Sequence, residues 1–193
     1  LERLGRDLTE LLDHHAIGTP VRLLGWSMGA LVCLEHLRRR GGAGLAGLIV
    51  EDMSPRILNA GDWQLGLKGG FDSAMSERSM ALMRRDWRRF AHAAAENLFA
   101  DWETTPAALR QWALQQLKAN DPEALAGLWL SLSEARFDDF IATLPLPVLV
   151  TYGTRSRLYS SAVADFWLEQ LPRGRAAPFV ASGHAPHLEQ AQD

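Results

Sequence analysis

The apolar residues of this chain follow two different periodicities. Leucines recur every three or four positions from Leu1 to Leu12 with charged residues between them, which predicts an amphipathic helix over residues 1–17 that ends at Gly18-Thr19-Pro20. Short continuous apolar runs between turn residues predict buried strands instead. Four such strands are predicted, over residues 21–24, 45–50, 148–152 and 176–181, with two further helices over residues 28–40 and 160–171.

The order of these elements predicts the fold class. Strand, helix, strand, helices, strand, helix and strand is the alternation of an α/β protein with a parallel sheet and crossover helices. The long stretch between the second and third strands, residues 56–143, has helical propensity and carries five of the seven tryptophans. We therefore divide the chain into core segments 1–55 and 144–193 and a helical cap over residues 56–143.

Composition excludes several functional classes. The 193 residues carry a net charge of −3, and 47% of them are hydrophobic, which is an ordinary globular composition. This net charge provides no overall positive field that would attract nucleic acid. The sequence also has no run of about 18 apolar residues that could span a bilayer. A single cysteine, Cys33, cannot supply a disulfide framework or a cysteine-ligated zinc site, so it is predicted to be a small core residue. We expect a cytoplasmic protein with no nucleic-acid partner, no membrane partner and no metal.

The residues that follow each strand are the candidates for chemistry, because ligands of open α/β sheets bind beyond the carboxyl ends of the strands. Residues 25–29, Gly-Trp-Ser-Met-Gly, follow the first strand and match Gly-x-Ser-x-Gly. This spacing places a serine on a sharp strand-to-helix turn that the flanking glycines permit. Ser27 would project its hydroxyl at a helix N-terminus, where the Met28 N–H can bind a developing oxyanion. The alternative is a glycine-rich turn with an incidental serine.

Two histidines follow the last predicted strand. Residues 182–189 read Ser-Gly-His-Ala-Pro-His-Leu-Glu. A histidine in a loop just past a strand can reach the serine and act as general base, then as general acid toward the leaving group. We favour His184 because it directly follows the glycine, and we interpret His187 as a residue that supports the site or starts a helix.

Three segments together carry a family resemblance: residues 25–29, the strand Pro-Val-Leu-Val-Thr-Tyr-Gly over residues 147–153, and residues 182–189. They resemble the α/β-hydrolase superfamily, and within it the small serine esterases of the pimeloyl-ester carboxylesterase and lactonase type. The resemblance covers nearly the whole chain and implies the α/β-hydrolase fold. It also implies that Ser27 is the nucleophile, that His184 is the base and that the main-chain N–H after the nucleophile binds the oxyanion.

The resemblance also implies a longer protein. An α/β-hydrolase sheet has several strands before the nucleophile strand, including the one whose loop supplies a second oxyanion-hole N–H, and a helix after the histidine loop. We therefore expect N-terminal strands and a C-terminal helix that are missing from this chain, which would be the middle and end of a protein of about 260 residues.

The sequence leaves open which acidic residue orients the histidine. The commonest family members carry an aspartate three residues after the Tyr-Gly of the later strand, where this chain has Ser156. A serine cannot stabilise an imidazolium as a carboxylate does. We favour Asp52, at the carboxyl end of the second strand, because some family members carry the acid there. The alternatives are that Asp52 only caps the following turn, or that Glu51 is the acid although strand alternation sends it to the opposite face.

The predicted reaction is hydrolysis of a carboxylic ester through an acyl-enzyme, with no metal or organic cofactor. A serine nucleophile argues against the carboxylate-nucleophile chemistry of haloalkane dehalogenases and epoxide hydrolases. Trp26, Trp63 and Phe71 are the candidates to line a slot for a small or medium apolar acyl group. Most other aromatic residues of the cap are expected in its core.

Two other functions stay open. The first is a thioesterase or carrier-protein ester hydrolase with an acyl carrier protein as partner. Arg84, Arg85, Arg88 and Arg89 are spaced as one helical face, which would either dock an anionic carrier or acidic substrate or simply be solvated. The second is a noncatalytic binding protein of the same fold, suggested by Ser156 where an acid is common.

Overall fold

One parallel sheet organises the part of the chain that the structure describes. A computed structural model describes residues 1–15 and 20–192. The strands are β1 Val21–Trp26, β2 Leu45–Glu51, β3 Val148–Gly153 and β4 Gly174–Phe179, and they neighbour one another in chain order. All three neighbouring pairs are parallel, so the predicted α/β class is confirmed.

Helices connect the strands. They are α1 Glu2–His15, α2 Met28–Arg40, α3 Ser73–Arg85, α4 Trp87–Leu98, α5 Ala107–Lys118, α6 Pro122–Glu134, α7 Ala162–Gln170 and α8 Pro186–Glu189, with a 3-10 turn at Ile141–Thr143. Helix α1 packs on α2, which lies against β1, and α7 packs against β3 and β4. The predicted end of the first helix, over residues 16–19, lies outside the described residues.

The structure confirms the predicted bounds of helices and strands where residues close to the end of an element determine where it begins or ends. Helix α2 has the predicted bounds, residues 28–40, and ends at Gly41, which adopts φ 69. Strands β1, β2 and β3 start as predicted and extend one or two residues further. Strand β4 begins and ends two residues before the predicted 176–181. Its ladder with β3 runs from Gly174 to Phe179, so pairing rather than the apolar run sets its limits.

The stretch between β2 and β3 is helical, as its composition predicted. Helix α3 packs on α4 and α6, and α4 packs on α5. Three of these four helices begin at an aspartate, Asp72, Asp86 or Asp121, whose side chain accepts a hydrogen bond from the backbone N–H three residues later. Such N-caps satisfy N–H groups that have no partner within the helix. The assignment of residues 56–143 as a cap stays a prediction.

The arginine face predicted from helical spacing is wrong. Arg84 and Arg85 end α3, whereas Arg88 and Arg89 lie in the first turn of α4. Asp86 separates the two helices, because its side chain accepts a hydrogen bond from the Arg89 N–H and so starts a new helix. The four arginines therefore belong to two helix ends and do not form one face of a single helix.

The core packs between the sheet and its neighbouring helices. Leu31 and Leu34 of α2 are fully buried. Trp167 of α7 is fully buried too, and its indole N–H donates to Met53 O at 2.9 Å, just past the end of β2. Burial raises the pKa of the Cys33 thiol to about 11, so the thiol stays protonated. Cys33 is therefore a buried core residue, as predicted.

Candidate catalytic site

The carboxyl ends of three strands bring the candidate residues to one edge of the sheet. Ser27 follows β1, Asp52 follows β2, and His184 lies in the loop after β4. The Ser27 N–H donates to Glu51 O at 3.0 Å, and the Asp52 N–H donates to Thr151 O at 2.8 Å. The hydrogen-bonded ladder thus continues one residue past β1 and β2, which holds both backbones at adjacent positions.

The backbone at Ser27 is strained. Its φ of 52° and ψ of −129° lie in the left-handed half of φ space, where a residue with a Cβ costs about 1–3 kcal/mol. A Cβ at Gly25 would lie 2.4 Å from Ala30 Cα, so only glycine lets β1 and α2 approach this closely. Gly29 has no described atom within 4 Å of its Cβ position, so close approach explains only the first glycine of the motif. Strain of this kind concentrates at functional sites, which argues against an incidental serine.

The Ser27 hydroxyl takes no part in the hydrogen bonds that stabilise the fold. It makes no cap hydrogen bond to α2, and no hydrogen bond of this hydroxyl occurs among the described residues. Met28 is the first residue of α2, so its N–H belongs to the helix N-terminus, where backbone donors lack partners within the helix. A hydroxyl and a backbone N–H are therefore available at the same turn.

Asp52 and His184 form a buried pair. Nδ1 of His184 lies 2.7 Å from Asp52 Oδ2, and the two side chains are only 3% and 2% exposed. Because an ionised carboxylate can only accept, Nδ1 carries the proton and Nε2 is left as the acceptor of the ring. The alternative that Asp52 caps the following turn is wrong, since the Ser54 hydroxyl does so by donating to Arg56 O at 2.8 Å and accepting from the Arg56 N–H at 3.3 Å.

Ser156 contacts the same carboxylate. Its Oγ donates to Asp52 Oδ2 at 2.7 Å, and the residue is 2% exposed. Burial, and then the Asp52 charge, raise the pKa of Tyr159, so the phenol stays protonated and donates to Met53 Sδ at 3.2 Å. At the position where family members commonly carry an acid, this chain therefore has an uncharged donor to Asp52, the acid favoured from the sequence.

The loop that carries His184 is held from two sides. The Trp26 indole N–H donates to His184 O at 2.7 Å, and the two rings lie 5.4 Å apart, centroid to centroid. Glu189 accepts from the Gly183 N–H at 2.6 Å with Oε2 and from the Ala100 N–H at 2.9 Å with Oε1. Sequence reasoning missed Glu189, whose only signal is its place at the end of the histidine segment. It ties the loop to the chain just past α4.

Glu51 has a different partner from Asp52. Its Oε1 lies 3.1 Å from both the backbone nitrogen and Nδ1 of His187, while its Oε2 is buried with no hydrogen-bond partner among the described residues. His187 lies in the first turn of α8, which agrees with its interpretation as a helix-start residue. The alternative that Glu51 orients His184 is therefore wrong.

The three predicted substrate-binding residues lie in different surroundings. Trp26 packs beside the imidazole of the histidine loop, as described above. Trp63 is 8% exposed and packs edge to face on Phe166 at 5.0 Å. Phe71 packs edge to face on Trp129 at 5.9 Å. Of the three, Trp26 alone has a ring contact recorded with the histidine loop, and substrate binding by all three stays a prediction.

Two features are absent from residues 1–15 and 20–192. Across these ranges no helix combines the length and the apolar character needed to cross a membrane. The same ranges contain no group of three or more histidine, cysteine, aspartate or glutamate side chains placed to hold a metal ion.

Sequence comparisons identify related proteins. A family model described as "Alpha/beta hydrolase family" matches residues 1–193. A pimeloyl-[acyl-carrier protein] methyl ester esterase from Vibrio cholerae is 26% identical over 192 residues, covering 100% of this chain and 72% of that protein. A protein of the same name from Aromatoleum aromaticum is 30% identical over 179 residues, covering 88% of this chain and 68% of that protein.

Solved structures share the fold. An esterase from Exiguobacterium antarcticum superposes with a TM-score of 0.89 at 20% identity, covering 97% of this chain and 68% of that chain. An enol-lactonase from Burkholderia xenovorans superposes with a TM-score of 0.80 at 19% identity, covering 98% and 68%. At these identities the likeness is one of fold alone.

Proposed function

Because this chain belongs to the α/β-hydrolase family, we propose that it is a serine hydrolase that cleaves carboxylic esters of small or medium apolar acyl groups through an acyl-enzyme. The observation that most supports this proposal is the buried pair of Asp52 and His184, which lies at the sheet edge where Ser27 is held in a strained backbone. The esterase names of relatives support the same reaction class. The proposed reaction needs no metal or organic cofactor.

In the proposed mechanism Ser27 is the nucleophile, His184 the general base and Asp52 the acid. Nε2 of His184 takes the hydroxyl proton as Ser27 Oγ attacks the ester carbonyl carbon, and Asp52 stabilises the imidazolium that forms. The oxyanion of the tetrahedral intermediate accepts a hydrogen bond from the Met28 N–H. Collapse breaks the bond to the alcohol oxygen, which takes the proton from His184. Water then hydrolyses the acyl-enzyme by the same proton transfers.

A fluorophosphonate probe tests the nucleophile, because it reacts with an activated serine. The parent protein is expected to be labelled at Ser27, and Ser27→Ala is expected to remain unlabelled. Ser161→Ala is the matched control, since Ser161 is exposed at the start of α7 and makes no side-chain cap hydrogen bond. An unlabelled but folded parent would contradict the proposal and favour the noncatalytic binding protein.

The acyl group is tested with p-nitrophenyl esters of increasing chain length. Each buried methylene contributes about 0.8 kcal/mol, so kcat/KM is expected to rise about fourfold per methylene until the slot is full, and then to fall. Acyl thioesters of the same lengths are expected to react more slowly. A preference for the thioester at every length would instead favour a thioesterase.

Exposed arginines support a second candidate, the hydrolysis of esters bound to a carrier protein. Arg85, Arg88 and Arg89 are exposed at the adjoining ends of α3 and α4. Two relatives are named for a pimeloyl ester carried on an acyl carrier protein. A cluster of cations attracts an anionic carrier and speeds its encounter with the enzyme.

The double substitution Arg85→Ala/Arg88→Ala is expected to raise KM for a carrier-bound ester about tenfold at low salt, because two exposed charges near the carrier are lost. Steady-state kinetics with a p-nitrophenyl ester should be unchanged. The matched control, Arg6→Ala/Arg22→Ala, removes the same charge from exposed positions on α1 and β1. An unchanged KM in the first variant, or an equal rise in both, would argue against docking at these helix ends.

A further inference from the structure

The buried side-chain oxygen of Ser156 makes three hydrogen bonds. Its Oγ donates to Asp52 Oδ2 at 2.7 Å and accepts from the backbone N–H groups of Leu158 and Tyr159, each at 3.3 Å. The Ser156 N–H in turn donates to Gly153 O at 3.0 Å, at the end of β3. The hydroxyl is therefore fixed in direction by the backbone turn that follows β3.

The Asp52 carboxylate receives two donors on one oxygen. Nδ1 of His184 and Oγ of Ser156 each lie 2.7 Å from Asp52 Oδ2. The Ser156 donor is anchored by a backbone turn, whereas His184 must change its charge during the proposed reaction. A second, fixed donor keeps the carboxylate aimed at Nδ1 in both charge states.

We propose that Ser156 is a positioning residue that orients Asp52 toward His184. The proposal rests on the proposed function. Ser156 transfers no proton and touches no reacting atom. Its effect passes through the direction of one carboxylate oxygen.

The first experiment removes the hydroxyl. Ser156→Ala is expected to lower kcat for a p-nitrophenyl ester about tenfold with KM unchanged, because a charge-assisted hydrogen bond to the oriented carboxylate is lost. Ser156→Thr keeps the hydroxyl and should retain most of the activity. Ser133→Ala is the matched control, since Ser133 is also buried and bonded to a side chain, the Ser76 hydroxyl, but lies in α6.

A readout independent of turnover separates this proposal from the proposed function. Proton NMR of the parent should show a downfield signal for the hydrogen-bonded Nδ1 proton of His184, shifted in Ser156→Ala and unchanged in Ser133→Ala. An identical signal and an identical kcat in Ser156→Ala would overturn the positioning role. If the probe fails to label Ser27 while the signal still shifts, the proposed function is wrong and the orientation of Asp52 by Ser156 stands.

Discussion

Replacing Ser27 by alanine is expected to lower kcat for a p-nitrophenyl ester about 10⁴- to 10⁶-fold while the protein stays folded. The reason is that the acyl-enzyme path needs the hydroxyl oxygen, and no residue recorded in contact with His184 replaces it. Among the described residues, the imidazole makes ring contacts with Trp26 and Tyr159 and a hydrogen bond with Asp52. Steady-state kinetics and thermal unfolding followed by circular dichroism measure the two effects.

Ser27→Gly supplies the control for this prediction. Glycine adopts a φ of 52° without a Cβ penalty, so this variant should be as inactive as Ser27→Ala but more stable, by about 1 kcal/mol. A loss of activity together with a gain in stability is expected when a catalytic residue with a strained backbone is replaced by glycine. A kcat within tenfold of the parent in either variant would exclude Ser27 as the nucleophile.

Asp52→Asn is expected to lower kcat about 10³- to 10⁴-fold with little change in KM. Asparagine keeps the shape of the side chain but offers no negative charge to the imidazolium, and its amide can favour the wrong tautomer of His184. The effect falls on the transition state because the imidazolium forms only during proton transfer. Steady-state kinetics on a short-chain p-nitrophenyl ester measures it.

Glu51→Gln is the matched control for Asp52→Asn. Glu51 is the preceding buried carboxylate, and its Oε1 accepts from His187 rather than His184. A glutamine oxygen can still accept these bonds, so kcat should stay within a few-fold of the parent. If Asp52→Asn also stayed within a few-fold while Ser27→Ala abolished turnover, Asp52 would not be the acid. Equal losses in both carboxylate variants would assign the effect to docking of the histidine loop.

The fold was predictable where its signals are local. Helix α2 ends at a glycine with positive φ, and the apolar runs of β1, β2 and β3 mark where those strands begin. The predicted bounds of β4 were two residues too late, because pairing with β3 sets the ends of this strand and the apolar run does not follow that pairing. Similarly, a capping aspartate, Asp86, divided one predicted arginine face between two helices.

The candidate site was predictable only in part, because its hydrogen bonds join distant segments. The motif around Ser27 and the loop of His184 could be found in short stretches of sequence. The pairing of His184 with Asp52 spans 132 residues, and that of Ser156 with Asp52 spans 104. From the sequence, Ser156 marked the loss of an acid, whereas in the structure it donates to the carboxylate that adjoins the histidine.

By itself, the sequence determined the parallel α/β class, the helical stretch between β2 and β3, and the candidates Ser27 and His184, because periodicity and turn residues act over a few positions. Asp52 was favoured from its place at the end of the second strand and from the family resemblance. Only the tertiary structure decided how the four acidic and histidine residues pair: Asp52 with His184, and Glu51 with His187. Adjacent residues at the end of one strand point their side chains in different directions. Which partner each side chain meets depends on how a loop more than 130 residues later returns to that edge of the sheet.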